Sequence, residues 1–412
     1  VVEIEGRADS VGVGRVVPPR FPIETWNNTS ECPWPGANAA NLARMKGAAI
    51  DTLYVHPGTC EKCGCDTATL LGRTLPENPG LFALAEHGAM MTVNLATTSA
   101  IAGIATGDES DGEVYGEDGA PKPNQKADKS REAWDRYPEL PTFNGGKTNG
   151  NIGTFAGMAD IQGMDLYAAA CAPHITPWGN HPPLRGPYDY LRNTRENHMP
   201  QPTWLYTQGL HDGWNQKPVF RDEYLVQPTE TELIVQAYQA IAAGAKGLMW
   251  FQVSEDVARR RPRRWEAIAQ VNRVVRAVRP ELRVGDPTGL VDTESDSLAE
   301  VIHAPDALVV PVINMKVKDS VDDLKCGAGF VSGDFPHWTL RDNAVTFTVR
   351  LPAGFTAADV FEVTPGGVVD AAAAAQDGRV RFDEVPLSQE RPARLFVVAA
   401  TPEVRARVAA RF

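Results

Sequence analysis

Eight short apolar runs, each fit for one buried strand, punctuate the first 285 residues, at 21–26, 50–55, 90–95, 101–106, 140–144, 161–167, 203–208 and 247–252. Helical patterns separate several of them, most clearly 38–47, 229–243 and 264–278. Within 229–243 the apolar positions Leu233, Ala237, Tyr238 and Ile241 recur at three- and four-residue spacings, the period of one helix face. Thr229 and Glu232 have capping-box spacing at its start. Strands alternating with helices imply a parallel sheet, and eight such units imply a closed (β/α)8 barrel. An open doubly wound sheet is the main competitor, but no Gly-x-Gly-x-x-Gly or Walker loop follows an early strand.

Beyond residue 285 the texture changes. Alternating runs such as Ala307–Ile313, Ala344–Leu351 and Arg379–Phe382 are separated by Pro, Gly and Asp turns, the signature of short antiparallel strands. The segment Ala371–Ala375 suits a helix or a loop equally. The reading is therefore two domains: a barrel over 1–285 and a small antiparallel β-sandwich over 286–412, with the last strand ending near Ala400.

Forty basic against fifty-two acidic residues give a formal net charge of −12. That balance argues against nonspecific binding to nucleic acid or to an anionic membrane. No apolar run approaches the length of a membrane-spanning helix. Of the six cysteines, Cys32, Cys60, Cys63 and Cys65 fall in loops after the first two strands. They suit disulfides, hence a secreted or periplasmic protein whose signal peptide has been removed. The competing reading is a metal knuckle of His56 with Cys60, Cys63 and Cys65, without a second Cys-x-x-Cys to complete it. No organic-cofactor motif is present.

The fourth run ends in Gly107-Asp-Glu-Ser-Asp-Gly-Glu113, four carboxylates in six residues. Strand ends of a barrel are where catalytic groups are held, because the strand fixes the backbone while the loop meets solvent. Crowded carboxylates repel, so one keeps its proton toward neutral pH, as a carboxylic general acid must. A solvated acidic turn is the plain alternative.

On these residues the chain resembles a glycoside-hydrolase-type TIM barrel followed by the β-sandwich common in carbohydrate-active enzymes. The stretches that carry the resemblance are Gly107–Asp111, Trp134–Phe143, Ala159–Tyr167, Trp204–Gln208 and Glu230–Phe251, and it spans roughly 20–285. It implies a glycoside hydrolase that cleaves a poly- or oligosaccharide with paired carboxylates. Glu109 matches the usual position of the acid. Strand seven, where many retaining relatives place a glutamate nucleophile, ends instead in Gln208. Asp165 is the choice for the second carboxylate and Asp212 the next, with Glu223 and Glu24 also within reach of strand ends. Asp108, Asn27, Asn94, Asn144 and Gln208 are candidates for bonding sugar hydroxyls, and Trp26, Tyr167, Trp178, Trp214 and Trp250 for stacking on pyranose faces. Trp204 and Phe251, with apolar neighbours, read as core. His174 and His181 read as ordinary loop residues. The run Arg259-Arg-Arg-Pro-Arg-Arg264 is unusual in an acidic chain. On the catalytic face it would favour an anionic glycan; otherwise it is a solvated start to the last barrel helix. The rival to a hydrolase is a barrel that only binds carbohydrate. A metal-dependent hydrolase ranks third, since no His-x-His, His-Glu-x-x-His or Gly-x-Ser-x-Gly is present.

Overall fold

The computed structural model describes residues 2–4, 12–14, 20–26, 39–56, 66–110, 122–146, 152–166, 185–210, 228–253, 255–293, 296–320 and 338–412. Eight parallel strands close into a barrel: β1 (Ile23–Trp26), β2 (Thr52–Val55), β3 (Phe82–Glu86), β4 (Ile101–Gly107), β5 (Thr142–Gly146), β6 (Ile161–Asp165), β7 (Thr203–Leu210) and β8 (Leu248–Val253). They pair in chain order, and β8 returns to β1 with Met249 beside Glu24. Among the described residues the barrel helices are α1 (Ala39–Gly47), α2 (His87–Thr92), α3 (Lys122–Arg136), α4 (Gly186–His198), α5 (Glu230–Ala242), α6 (Glu255–Arg260) and α7 (Pro262–Val284). The capping box that opens α5 is formed, Thr229 Oγ1 accepting from Glu232 N and Glu232 Oε2 from Thr229 N at 2.8 Å.

The barrel expectation holds, with one strand displaced. The third strand is Phe82–Glu86, and half of the expected run at 90–95 belongs to α2. Both runs are short and apolar, so periodicity alone does not separate a strand from a buried helical turn.

Beyond α7 two antiparallel sheets face each other. One contains β9 (Ala307–Asn314), β11 (Asp359–Thr364) and β13 (Ala393–Ala399); the other contains β10 (Asn343–Arg350) and β12 (Arg379–Leu387). Ala374–Gln376, in the segment whose sequence left helix and loop open, pairs with β12 at an edge. Every residue of β9 is buried, because the strand has a core on each side. Leu308, Val310 and Val312 meet Val345, Phe347 and Phe382 of the second sheet, while Ala307, Val309 and Ile313 join the core beneath the barrel helices. A final helix α8 (Glu403–Ala409) sets Val404 and Val408 into that same core. Arg411 then donates to Ala277 O and pairs with Glu281 of α7 at 2.7 Å.

Candidate active site at the carboxyl ends of the barrel strands

Side chains alternate across each barrel strand. The inner set is aromatic: Trp26, Tyr54, Phe143, Trp204 and Tyr206 pack with Leu84, Ile161 and Met249 inside the barrel, and Phe251 packs against them. Trp26 lies flat on Tyr54 with ring centroids 3.7 Å apart and meets Phe251 edge-on at 5.4 Å. Phe143 stacks on Trp204 at 5.2 Å. Gly163 has no side chain because none fits: a Cβ there would come within 2.2 Å of Phe143 Cζ.

Polar groups of the same inner set converge above this floor. Tyr54 donates from its hydroxyl to Glu86 Oε1 at 3.1 Å, and Tyr206 reaches Glu24 Oε1 at 3.5 Å. Asp165, next to Tyr206 in register, completes a set of carboxyls drawn from β1, β3, β6 and the end of β4. Glu24 is fully buried, and its Oε2 finds no partner among the described residues. Burial raises its proton affinity well above that of an ordinary carboxyl, the Tyr206 hydrogen bond opposes this, and the charge of Asp51 adds to it. The hydroxyls of Tyr54 and Tyr206 are held protonated for the same reason, loss of water, reinforced by the carboxylates around them.

The turn after β4 supplies the most consequential group. The β4–β5 ladder slips by one residue between Ala105 and Gly107, so Gly107 pairs with Asn144 and Thr106 is the extra residue. A bulge reverses the parity of everything after it. Asp108 thereby takes the inner side, where its Oδ1 lies 3.4 Å from where a Cβ on Gly145 would be. Its pKa is pushed up to about 6, first by burial, then by the charges of Glu109 and Glu86, against weaker pulls from the Glu109 backbone N–H and from Lys126. The residue is still exposed at the mouth; what it has lost is hydration beneath and beside the carboxyl. Glu109 follows with φ 42°, in the left-handed region, a backbone conformation that costs a side-chain-bearing residue about 1–2 kcal/mol. Behind the turn, Ser110 Oγ donates to Asn144 Oδ1 at 2.7 Å and Asn144 Nδ2 to Gln162 Oε1 at 3.3 Å. Position 107 must be glycine, since a Cβ would fall 2.3 Å from Ser110 Oγ and 2.7 Å from Asn144 Oδ1.

Of the residues singled out from sequence, Glu109, Asp108, Asp165, Gln208 and Trp26 stand at this end of the barrel. Gln208 is buried on the inner face of β7. Four of the expected sugar contacts need correction. Trp26 is only 6 % exposed and gives its face to Tyr54. Trp250 points outward into the layer between β8 and the helices, fully buried, donating from Nε1 to Asn272 Oδ1 at 3.0 Å. Asn144 is fully buried behind the sheet, its amide taken by Ser110 and Gln162. Asn94 lies between α2 and β4, hence at the amino ends of the strands, away from the site. Asn27, Tyr167, Trp178, Asp212, Trp214, Glu223, His174, His181 and all six cysteines lie outside the described residues. The sequence reading does not reach Glu86, because it places the third strand eight residues too late, nor Tyr54 and Tyr206, which alternation within their own strands turns inward. Among the described residues no group of three or more His, Cys, Asp and Glu is placed to hold a metal ion, and no helix is long and apolar enough to cross a membrane.

No protein-family model and no curated protein matches the sequence. Solved structures do resemble it. An Anoxybacillus alpha-amylase superposes with a TM-score of 0.50 at 10% identity, covering 92% of this chain and 98% of that one. A cold-adapted beta-galactosidase from Rahnella sp. R3 also gives 0.50, at 12% identity over 67% of this chain and 58% of that one. At such identities the likeness is one of fold: a closed parallel barrel with antiparallel sheets at its carboxyl end, an architecture shared with glycoside hydrolases.

Proposed function

We propose that this chain is a glycoside hydrolase in which Asp108 is the general acid and Asp165 the second carboxylate. The observation that carries the reading is the inward turn of Asp108 at the end of β4, with surroundings that keep it protonated up to about pH 6. Protonating a leaving glycosidic oxygen requires such a group. Asp165 sits two strands away on the same inner wall. Neighbouring strands lie about 4.8 Å apart, so the backbones carrying the pair are roughly 10 Å apart. That suits the ~5–9.5 Å carboxyl separation of glycosidases. Glu109 and Glu86 hold Asp108's proton by repulsion and offer acceptors to sugar hydroxyls. The solved structures named as an alpha-amylase and a beta-galactosidase share this fold, which agrees with this reading.

The arginine-rich run joins α6 to α7 after β8, with Arg259, Arg260 and Arg263 exposed and Arg264 buried. An acidic group on a flanking sugar is what it would meet. We also propose export to an oxidising compartment, where polymeric glycans are encountered and where Cys32, Cys60, Cys63 and Cys65 suit disulfides.

The test is a reducing-end release screen over neutral and acidic polysaccharides, with wild type, Asp108→Asn, Glu109→Gln and Asp165→Asn in parallel. Release that collapses in the Asp108 and Asp165 variants supports the assignment. Collapse in Glu109→Gln alone returns the acid to Glu109. Carbohydrate binding without release from any polymer favours the binding-only barrel.

A further inference from the structure

The residues behind the acidic turn form one continuous buried chain of hydrogen bonds. Ser110 Oγ donates to Asn144 Oδ1, Asn144 Nδ2 to Gln162 Oε1, and Gln162 Nε2 to Gly163 O at 2.9 Å. The three side chains are between 0 and 4 % exposed, so no substrate reaches them. The chain begins on the turn that carries Asp108 and Glu109, crosses β5, and ends on β6 two residues before Asp165. A second stitch supports its origin: Thr106, the bulged residue, donates from Oγ1 to Phe143 O at 3.0 Å. Glycine at 107 lets Ser110 and Asn144 close directly behind the turn. Each link has one geometry, and together they tie two elements of the site that no backbone ladder joins, since β4 and β6 are not neighbours.

We propose that Asn144 is a positioning residue: through Ser110 on one side and Gln162 on the other, it sets the separation and facing of the Asp108 and Asp165 carboxyls. The inference rests on the glycosidase reading for its chemistry, but the linkage itself can be tested without turnover. In a reaction that passes a proton from one carboxyl while the other acts on the same bond, a misplacement near 1 Å costs on the order of a hundredfold in rate. Substrate affinity, set by the wider cleft, moves far less. The arrangement also accounts for a buried asparagine on a strand face that packs against helices, where an apolar residue would otherwise serve.

The experiment compares Ser110→Ala, which cuts only the first link, with Asn144→Ala, which cuts both. Arg411→Ala, on the far contact between α7 and the chain's carboxyl end, controls for lost stability. Thermal midpoint, kcat, KM, the pH–rate profile and the Asp108 carboxyl titration by carbon-detected NMR are read for each. The expected result is a ten- to hundredfold fall in kcat with KM within about threefold, and a displaced Asp108 titration in both relay variants. Arg411→Ala should lose thermal midpoint with kcat and titration unchanged. Relay variants that lose stability like Arg411→Ala yet keep the wild-type kcat and titration overturn the proposal. Should the wild type hydrolyse nothing, the glycosidase reading falls. The relay then stands or falls on the Asp108 titration, which an idle relay would leave in place.

Discussion

Removing the charge of Glu86 should move the pH at which the protein stops working. Asp108 titrates at about 6 instead of the ordinary 3.8. At pH 6 half of it therefore carries the proton, whereas an ordinary aspartate would carry it in under about 1% of molecules, a difference of roughly eightyfold in competent acid. Three causes raise it, in order burial, Glu109 and Glu86. Glu86→Gln removes the third while leaving the other two, and the amide can still accept from the Tyr54 hydroxyl. The alkaline limb of the pH–rate profile, which sits near 6 if Asp108 is the acid, should then shift toward lower pH. Glu109→Gln, removing the larger charge effect, should shift it further. The assay is the initial rate of sugar release between pH 4 and 8 for all three proteins, with the Asp108 carboxyl followed by NMR in the same buffers. The stability sign is opposite to that of a salt-bridged aspartate. With the folded value raised, native stability is fullest below about 3.8 and is lost as pH rises through 6. An alkaline limb that stays in place in both variants, or a carboxyl that titrates near 4, would refute the reasoning.

Other perturbations test the frame around the site. Gly163→Ala forces a methyl against Phe143, which is pinned by Trp204 at 5.2 Å and Tyr206 at 5.8 Å; urea titration should show a loss of about 1–3 kcal/mol, and a neutral result would mean the ring moves freely. Glu24 is fully buried with a raised pKa, so wild-type stability should decline as pH rises from its unfolded value through the folded one. Glu24→Gln should remove that decline, and parallel stability curves for the two proteins from pH 4 to 9 would contradict it. In the sandwich, Glu362 is 4% exposed and paired with both Arg391 and Arg394. Arg394→Met leaves that carboxylate short of a partner and should cost roughly 3 kcal/mol, most of it recovered when Glu362→Leu is added; a double variant no better than the single would show that the charge is not the cause.

Much of the architecture could be read from residue order. Seven of the eight barrel strands fall on the expected runs, since strands buried on both faces must be short and apolar and their helices must carry a 3.6-residue stripe. The strand that slipped did so where two apolar runs adjoin, Phe82–Glu86 and the Met90–Met91 turn of α2, and only the first pairs with a neighbour. A strand placed at 90–95 leaves Glu86 outside the site and puts Asn94 at the wrong end of the barrel. The tryptophans illustrate a different limit. Trp26 and Trp250 both sit near strand ends, yet one lies in the barrel floor and the other in the layer behind it. Side-chain direction depends on parity along the strand, which composition near a strand end does not report.

Parity is also why the inward carboxyl at the end of β4 is that of Asp108 and not that of Glu109. In a regular strand with Ala105 facing inward, Gly107 and Glu109 would follow on the same side and Asp108 would face away. One extra residue at Thr106 turns Asp108 inward instead, and that turn is locked from behind by Asn144 and Ser110. Nothing in the string Ile-Ala-Thr-Gly-Asp-Glu-Ser announces a bulge, because what holds it is a hydroxyl on Thr106, an amide two strand positions into β5 and the empty space at Gly107. These become neighbours only once the barrel has closed. The turn's carboxylates are thus a local property of the sequence, whereas the choice of which one faces inward is a property of the fold. If the proposed positioning role holds, the buried hydrogen-bond chain of Ser110, Asn144 and Gln162 is where a single substitution out of a substrate's reach alters the chemistry most.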